Sequence, residues 1–213
     1  MIWLRASMPR AGTSWVMSDL LLLSGGIDSI AIAAWLRPAK CLTIDYGQKA
    51  ATAEIVASEQ ACKALHLDHT VLTAPISDVG TGDMSDSGTS EHSVHSEFWP
   101  FRNQYLVTLA AMYSIKHGYN RVLIGTVATD CRHKDGTHQF VSDMDNLLRA
   151  QEGAIRFAAP AISMTSVELV RQSRVVSSIL AWAHSCHVGR LACGRCRGCV
   201  KHSEIMQTFG IQR

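Results

Sequence analysis

Apolar and polar positions alternate along this chain in blocks. Leu20 to Leu23 run straight into Ser24-Gly25-Gly26-Ile27-Asp28-Ser29, and a second apolar run, Ile30 to Leu36, follows. A short apolar run closed by a glycine turn is the pattern of a buried parallel strand, and the run after it predicts a helix. The block then repeats. Lys40 to Ile44 predicts a second strand, ending in Asp45-Tyr46-Gly47-Gln48. A helix is expected from about Thr52 to Leu65, with Ile55, Val56, Ala57, Ala61 and Leu65 on one face. His69 to Leu72 predicts a third strand and Arg121 to Ile124 a fourth, with a helix from about Gln104 to His117 between them. Phe140 to Arg149 reads as helical, Arg156 to Pro160 as a short extended piece, and Ser166 to Ala183 as one long helix. Strands alternating with helices predict an α/β fold: a parallel five-stranded sheet with right-handed crossovers, flanked by helices.

Two stretches break the alternation. Ser77 to Ser96 is rich in Ser, Gly, Thr and Asp, which predicts a mobile loop; loops of this length are lids, binding loops or plain surface excursions. Residues 1–17 carry Arg5 and Arg10 but no continuous apolar core, so they read as an extension and not as a signal peptide, with Met8 or Met17 as alternative starts. The expected organisation is therefore an extension over 1–17, an α/β domain over 18–183, and a cysteine-rich element over 184–213 packed on the same domain.

A chain of 213 residues suffices for one well-buried α/β domain. A net charge of +2 carries no nucleic-acid or membrane signature, and no apolar run is long enough for a bilayer. A cytoplasmic protein with no membrane partner is expected, and a nucleic-acid partner is not.

The chemistry concentrates at the first turn. Glycines let the backbone approach a ligand closely, and the free N–H groups at a helix start favour an anion. Ser24, Gly25, Gly26, Asp28 and Ser29 thus read as a phosphate cradle; the structural alternative is an ordinary strand-to-helix turn with a Ser cap. No Gly-Lys-Ser/Thr follows, so the turn is not a Walker motif. It resembles the PP-loop of ATP pyrophosphatases, which cleave ATP between the α and β phosphates.

Cys186, Cys193, Cys196 and Cys199 lie within fourteen residues, with the spacing x6, x2, x2. Four thiolates in two overlapping Cys-x-x-Cys pairs suit tetrahedral Zn²⁺ as a closed structural site. An iron–sulfur cluster and a nucleic-acid-binding ribbon are the competing readings. Cys41, Cys62 and Cys131 are scattered.

Further motifs follow in a fixed order. Asp45-Tyr46-Gly47-Gln48 has Glu54 and Ile55 after it. Glu97-Phe98-Trp99-Pro100-Phe101-Arg102-Asn103 precedes a helix, Gly125 to Thr129-Asp130 ends the fourth strand, and the four cysteines close the chain. In this order they resemble the QueC family, the 7-cyano-7-deazaguanine (preQ0) synthases of queuosine biosynthesis, over almost everything from Leu20 onward. The resemblance implies an adenine nucleotide α-hydrolase-like (Rossmann-like) fold, ATP and Mg²⁺ as cofactors, a structural Zn²⁺ and a homodimer. It implies adenylation of 7-carboxy-7-deazaguanine, displacement of AMP by ammonia, and a second adenylation that turns the amide into a nitrile. Ser24, Gly25, Gly26, Asp28 and Ser29 would hold the phosphates, Asp28 through Mg²⁺. Asp45, Tyr46, Gly47, Gln48 and Gly125 would lie by the nucleotide. Asp28, Arg102 and Asp130 are the catalytic candidates: Arg102 to neutralise phosphate or substrate carboxylate, Asp130 to bind Mg²⁺ or a substrate N–H. Phe98, Trp99, Asn103, Thr129 and Asp135 complete the substrate set, the two aromatics as stacking partners for a flat base or as core residues.

The chain departs from that family in three places. Phe101 stands where the family has the glycine of Pro-Gly-Arg-Asn. Cys131 to Phe140 replaces a Tyr-Pro-Asp-Cys-Arg run. Ser166 stands where the family has a lysine that reaches the nucleotide phosphates, with Lys134, Arg132 or Arg171 as candidate substitutes. These changes leave the turn and the cysteines intact, which suggests retained adenylation with an altered acceptor. QueC-like proteins of antiphage defence systems, including type IV CBASS, supply the corresponding alternative: a ligase joining a 7-deazaguanine to an amine of a partner protein. An inactive nucleotide- or RNA-binding module is a further alternative. A PP-loop sulfur transferase would require a reactive Cys pair at the site, where only Cys131 lies near Asp130.

Overall fold

A computed structural model describes residues 18–211; the expected extension over 1–17, with its alternative starts, lies outside the described residues. β1 (Asp19–Leu22), β2 (Lys40–Asp45), β3 (His69–Thr73), β4 (Arg121–Leu123) and β5 (Arg156–Ala158) form one sheet in the order β3-β2-β1-β4-β5, every neighbouring pair parallel. The expected five-stranded parallel sheet is present. Its helices are α1 (Ile27–Leu36), α2 (Ala51–Leu65), α3 (Arg102–His117), α4 (His138–Arg149), α5 (Ser166–Ser173), α6 (Ser177–Leu180) and α7 (Arg197–Thr208).

The leucine run explains the three layers. Side chains of a strand alternate between faces. Leu21 and Leu23 point into a core built with Ile30 and Ile32 of α1, Ala61 of α2, Leu169 of α5 and Ile205 of α7. Leu20 and Leu22 point into a second core with Val107 and Ala110 of α3 and Met144 and Leu148 of α4. Both faces are covered, so four consecutive residues are all apolar and all buried. Each such leucine stabilises the fold by roughly 1.5–3 kcal/mol.

The expected helix over Ser166 to Ala183 is instead two helices. The Ser173 hydroxyl donates to the Val170 carbonyl at 2.8 Å and accepts from the Val175 N–H at 3.3 Å. Arg174 then takes a left-handed φ of 53° and the chain turns. A serine that bonds its own backbone competes with the helix ladder. Residues 77–96 contain one short 3₁₀ turn, Ser77–Val79, and are otherwise irregular. They fold back on themselves through Gly82 N–H to the Gly88 carbonyl (3.0 Å) and Asp83 N–H to the Ser96 carbonyl (2.7 Å). No helix among the described residues is long and apolar enough to cross a membrane.

β1 has β2 on one side and β4 on the other, so the strand order reverses there. Open α/β sheets bind ligands in the crevice beyond the carboxyl ends of the strands at such a point. The Ser24–Ser29 turn lies there.

Candidate active site

The turn is shaped by one glycine. Gly25 has φ +73°, and a Cβ on it would sit 2.6 Å from the Glu54 carbonyl oxygen of α2. Only glycine lets the backbone pass so close in that conformation. Gly26 then caps α1. Ser29 Oγ donates to the Gly26 carbonyl at 3.0 Å and lies 3.2 Å from Ser24 Oγ. Asp28 stands in the first turn of α1, where the helix dipole favours a carboxylate.

Lys201 of α7 reaches this carboxylate. Its Nζ lies 2.8 Å from Asp28 Oδ2 and 3.4 Å from Asp130 Oδ1. Asp130 is fixed by its other oxygen, which accepts the Val127 N–H at 3.1 Å. Burial opposes the Lys201 charge, but the two carboxylates outweigh it and hold its pKa above that of an ordinary lysine. Asp28 Oδ1 is buried and has no partner among the described residues. A carboxylate oxygen left bare beside a phosphate-type turn fits a Mg²⁺ ligand.

The facing wall is aromatic and cationic. Trp99 is 3% exposed and meets Tyr46 edge-on, ring centroids 5.2 Å apart. Its Nε1–H has no partner among the described residues. Arg102 Nε donates to Asn103 Oδ1 at 3.3 Å, its Nη1 lies 3.0 Å from Met84 Sδ, and Asn103 Nδ2 donates to the Asp135 carbonyl at 3.2 Å. Glu54 accepts from Gln48 Nε2 at 2.7 Å. Burial lifts the Glu54 carboxyl to about 7, against the Gln48 hydrogen bond and the Arg102 charge.

These groups border one cavity of about 330 Å³. Ser24, Gly26, Asp28 and Ser29 line it on the β1 side. Tyr46, Phe98, Trp99, Arg102 and Asn103 line the same cavity, as do Gly125, Asp130 and Asp135. Gly25, Asp45, Gly47, Gln48 and Thr129 are not among its lining residues. Asp45 Oδ1 instead accepts the Gly47 N–H (3.0 Å), and Gln48 Oε1 accepts the Tyr46 N–H (2.9 Å), so this turn braces Tyr46 and Glu54. Phe98 stacks on His133, centroids 6.4 Å apart, and Glu97 receives Arg132 and His133, each at 3.3 Å. Arg132 also meets His95. Those contacts tie the irregular 77–99 stretch to the turn after β4.

Sequence reasoning passed over Lys201 and did not assign Glu54 to the site. Glu54 belongs to a motif, and its spacing six residues after Gln48 was a usable signal. Lys201 has as its sequence signal only its place two residues after Cys199. Among the candidates for the absent lysine, Arg132 lines the cavity but is engaged by Glu97. Lys134 does not line the cavity, and Arg171 packs over Phe209, 6.0 Å from its ring centroid. Ser166 itself is buried, its hydroxyl without a partner among the described residues.

The four clustered cysteines come together. Their Sγ atoms all lie within 4.8 Å of one another, and Cys193 Sγ is 3.9 Å from Cys199 Sγ. Backbone N–H groups point at the sulfurs: Cys196 N at 3.3 Å from Cys193 Sγ, Cys199 N at 3.4 Å from Cys196 Sγ. Tetrahedral Zn–S bonds of ~2.3 Å put sulfurs about 3.8 Å apart. The donor set fits a single metal ion. Cys41 and Cys62 are buried in the sheet–helix core, and Cys131 is exposed.

The chain is similar to known proteins over most of its length. A family model described as queuosine biosynthesis protein QueC matches residues 18–210. The 7-cyano-7-deazaguanine synthase of Methanosarcina mazei is 25% identical over 222 aligned residues, covering 92% of this chain and 96% of the relative. A 7-cyano-7-deazaguanine synthase of Desulfitobacterium hafniense is 28% identical over 201, covering 88% and 90%. Among solved structures, the U34-tRNA thiolase NcsA from Methanococcus maripaludis with its [4Fe-4S] cluster superposes with a TM-score of 0.52 at 13% identity. It covers 91% of this chain and 64% of its own, and shares the fold.

Proposed function

The chain belongs to the QueC family, and from that premise we propose that it uses ATP to adenylate 7-carboxy-7-deazaguanine and lets a nitrogen nucleophile displace the AMP. One observation carries the reading: a single cavity joins the Ser24–Ser29 turn and Asp130 to a wall of Arg102, Trp99 and Tyr46. A triphosphate and a flat, acidic heterocycle need those two chemistries side by side.

The free amides of the turn and the start of α1 receive the phosphates. Arg102 orients the substrate carboxylate through its planar fork. A carboxylate oxygen bonds to the α-phosphorus. The bond from that phosphorus to the α,β-bridging oxygen breaks, and its electron pair leaves on pyrophosphate. Asp28 and Asp130 would hold Mg²⁺, which screens the triphosphate charge. Ammonia then attacks the acyl carbon, AMP leaves, and the nitrogen loses a proton to give the amide. In the second round the amide oxygen attacks the α-phosphorus of a second ATP, pyrophosphate leaves, and loss of AMP with the two N–H protons gives the nitrile. The Trp99 Nε1–H and the Glu54 carboxyl offer a donor and an acceptor to the heterocycle.

Zinc is the metal of the four cysteines in this reading. The Sγ spacing within 4.8 Å suits one ion, whereas a four-iron cube places each thiolate on a different iron and spreads them. A cytoplasmic homodimer belongs to the same reading.

A second reading keeps the acyl-adenylate and changes the acceptor to an amine of a partner protein, as in antiphage defence. The observation that favours it is local. Arg132, His133, Asp135 and Gly136, inside the stretch that departs from the family, all line the cavity.

The test is direct. Purified protein given 7-carboxy-7-deazaguanine, ATP, Mg²⁺ and ammonium should release AMP and pyrophosphate and form the amide or nitrile by mass. AMP released only with a co-expressed partner, which gains a deazaguanine-sized adduct, selects the second reading. ATP binding without AMP under either condition identifies an inactive nucleotide-binding module and overturns both.

A further inference from the structure

The thiol element is wrapped around the phosphate turn. His184 N–H donates to the Gly25 carbonyl at 2.8 Å, and Lys201 Nζ meets Asp28 at 2.8 Å. All four metal-ligating cysteines lie between these two contacts, Cys186 two residues after the first and Cys199 two residues before the second. The element is also closed on itself. A Cβ on Gly198 would lie 1.8 Å from the Ser185 carbonyl oxygen, so only glycine permits that crossing. Ser185 Oγ lies 3.1 Å from His202 Nδ1. Cys196 caps α7, its sulfur facing the Cys199 N–H. The direction of the Lys201 side chain therefore follows from the frame set by the cysteines.

Lys201 is also the cation at the right place. Among the described residues it is the one whose ion pair reaches the Ser24–Ser29 turn. A lysine is a flexible point charge, and its rotamer freedom opposes holding it at a fixed spot. Two carboxylates and a helix pinned at its first turn remove that freedom before the nucleotide arrives. Charge that develops in the transition state is best stabilised by groups already in position.

We propose that Lys201 binds the ATP phosphates and stabilises the negative charge growing on the departing pyrophosphate, and that the four-thiolate metal site is the device that positions it. The proposal rests on the adenylation reading above. In its transfer step Lys201 forms and breaks no covalent bond; it exchanges its contacts with Asp28 and Asp130 for phosphate oxygens.

The experiment compares wild type, Lys201→Ala and Lys201→Arg, metal-loaded and chelated, by calorimetric ATP affinity and AMP formation. Lys201→Ala should bind ATP about tenfold more weakly and form AMP about 10²-fold more slowly, with metal content and melting temperature unchanged. Lys201→Arg should regain part of both. Chelation should weaken ATP binding to wild type and add nothing further in Lys201→Ala, the non-additivity expected of one shared element. Wild-type affinity and rate in metal-loaded Lys201→Ala overturn the role of Lys201. An equal loss on chelation in both proteins overturns the positioning role of the metal. If the chelated protein unfolds, the metal role is read from a Cys199→His variant that retains metal: unchanged ATP affinity there overturns it. A wild type that binds ATP yet makes no AMP from the deazaguanine acid removes the substrate reading, and the ATP affinities still decide the role of Lys201.

Discussion

Lys201 and Asp28 are 173 residues apart in the chain and 2.8 Å apart in the fold. The last helix thereby reaches the first turn of the first helix. The carboxylate holds the lysine with one oxygen and keeps the other bare. Replacing Asp28 by Asn keeps its size and removes its charge. AMP formation should fall by about 10²-fold or more while the melting temperature stays near wild type. A radiometric AMP assay reads this, and a wild-type rate would take Asp28 out of the machinery.

Gly25→Ala should be costly. The new Cβ would sit 2.6 Å from the Glu54 carbonyl oxygen in a left-handed conformation. The expected loss is about 2 kcal/mol or more. Urea unfolding measures it, and ATP binding should weaken in parallel because the turn and α2 are forced apart.

Glu54 makes stability depend on pH. Its carboxyl is raised by burial to about 7 in the fold, from an ordinary 4.5. Between those values the native state binds more protons than the unfolded chain, so stability falls as pH rises through this window. Glu54→Gln should flatten that slope. Unfolding curves at pH 5 and pH 8 compare the two proteins; parallel slopes would deny the raised carboxyl.

Phe101 carries a strain that the family's glycine would relieve. It caps α3 at φ 56°, a left-handed conformation, with the residue 77% exposed. Phe101→Gly should therefore gain about 1 kcal/mol, since little packing is lost and the left-handed cost disappears. Denaturant midpoints would show it. A destabilised Phe101→Gly would mean the ring packs on something in solution.

Removing the metal should loosen the carboxy-terminal element. Cys196 is buried, and its sulfur accepts N–H groups from His187 and Cys199, each at 3.4 Å. Cys196→Ser should release the metal into a chromogenic chelator and lower the melting temperature by about 5 °C or more. Full metal retention would deny Cys196 as a ligand.

The fold was largely legible because its signals are local. Leu20 to Leu23 are apolar on both faces, which only a strand covered on both sides tolerates. The starts of α1 to α5 are legible to within three residues, since caps such as Thr137, whose hydroxyl accepts from Phe140 N–H at 3.3 Å, carry weak sequence signals, whereas the sequence reading holds no expectation of α7 among the cysteines. The break at Ser173 was not legible, because a serine within an apolar period is ordinary until its hydroxyl is seen on Val170. The resemblance implies that all of the Asp45–Gln48 turn lies by the nucleotide, yet Asp45 and Gln48 spend their side chains on the turn's own backbone and on Glu54.

By itself, then, the sequence determined what depends on neighbours a few residues apart: the parallel strands, the glycine turn with Asp28 in the first turn of α1, and four cysteines spaced for one metal. Tertiary structure alone decided what depends on distant segments packing together. Ile205 and Met206 bury α7 in the core that α1 and α5 share, with α7 against α5. That burial, with the thiol element folded over Gly25, brings Lys201 to Asp28 and Asp130. No spacing rule spans 173 residues, so the cation of the phosphate turn became visible only once the two ends of the chain had met.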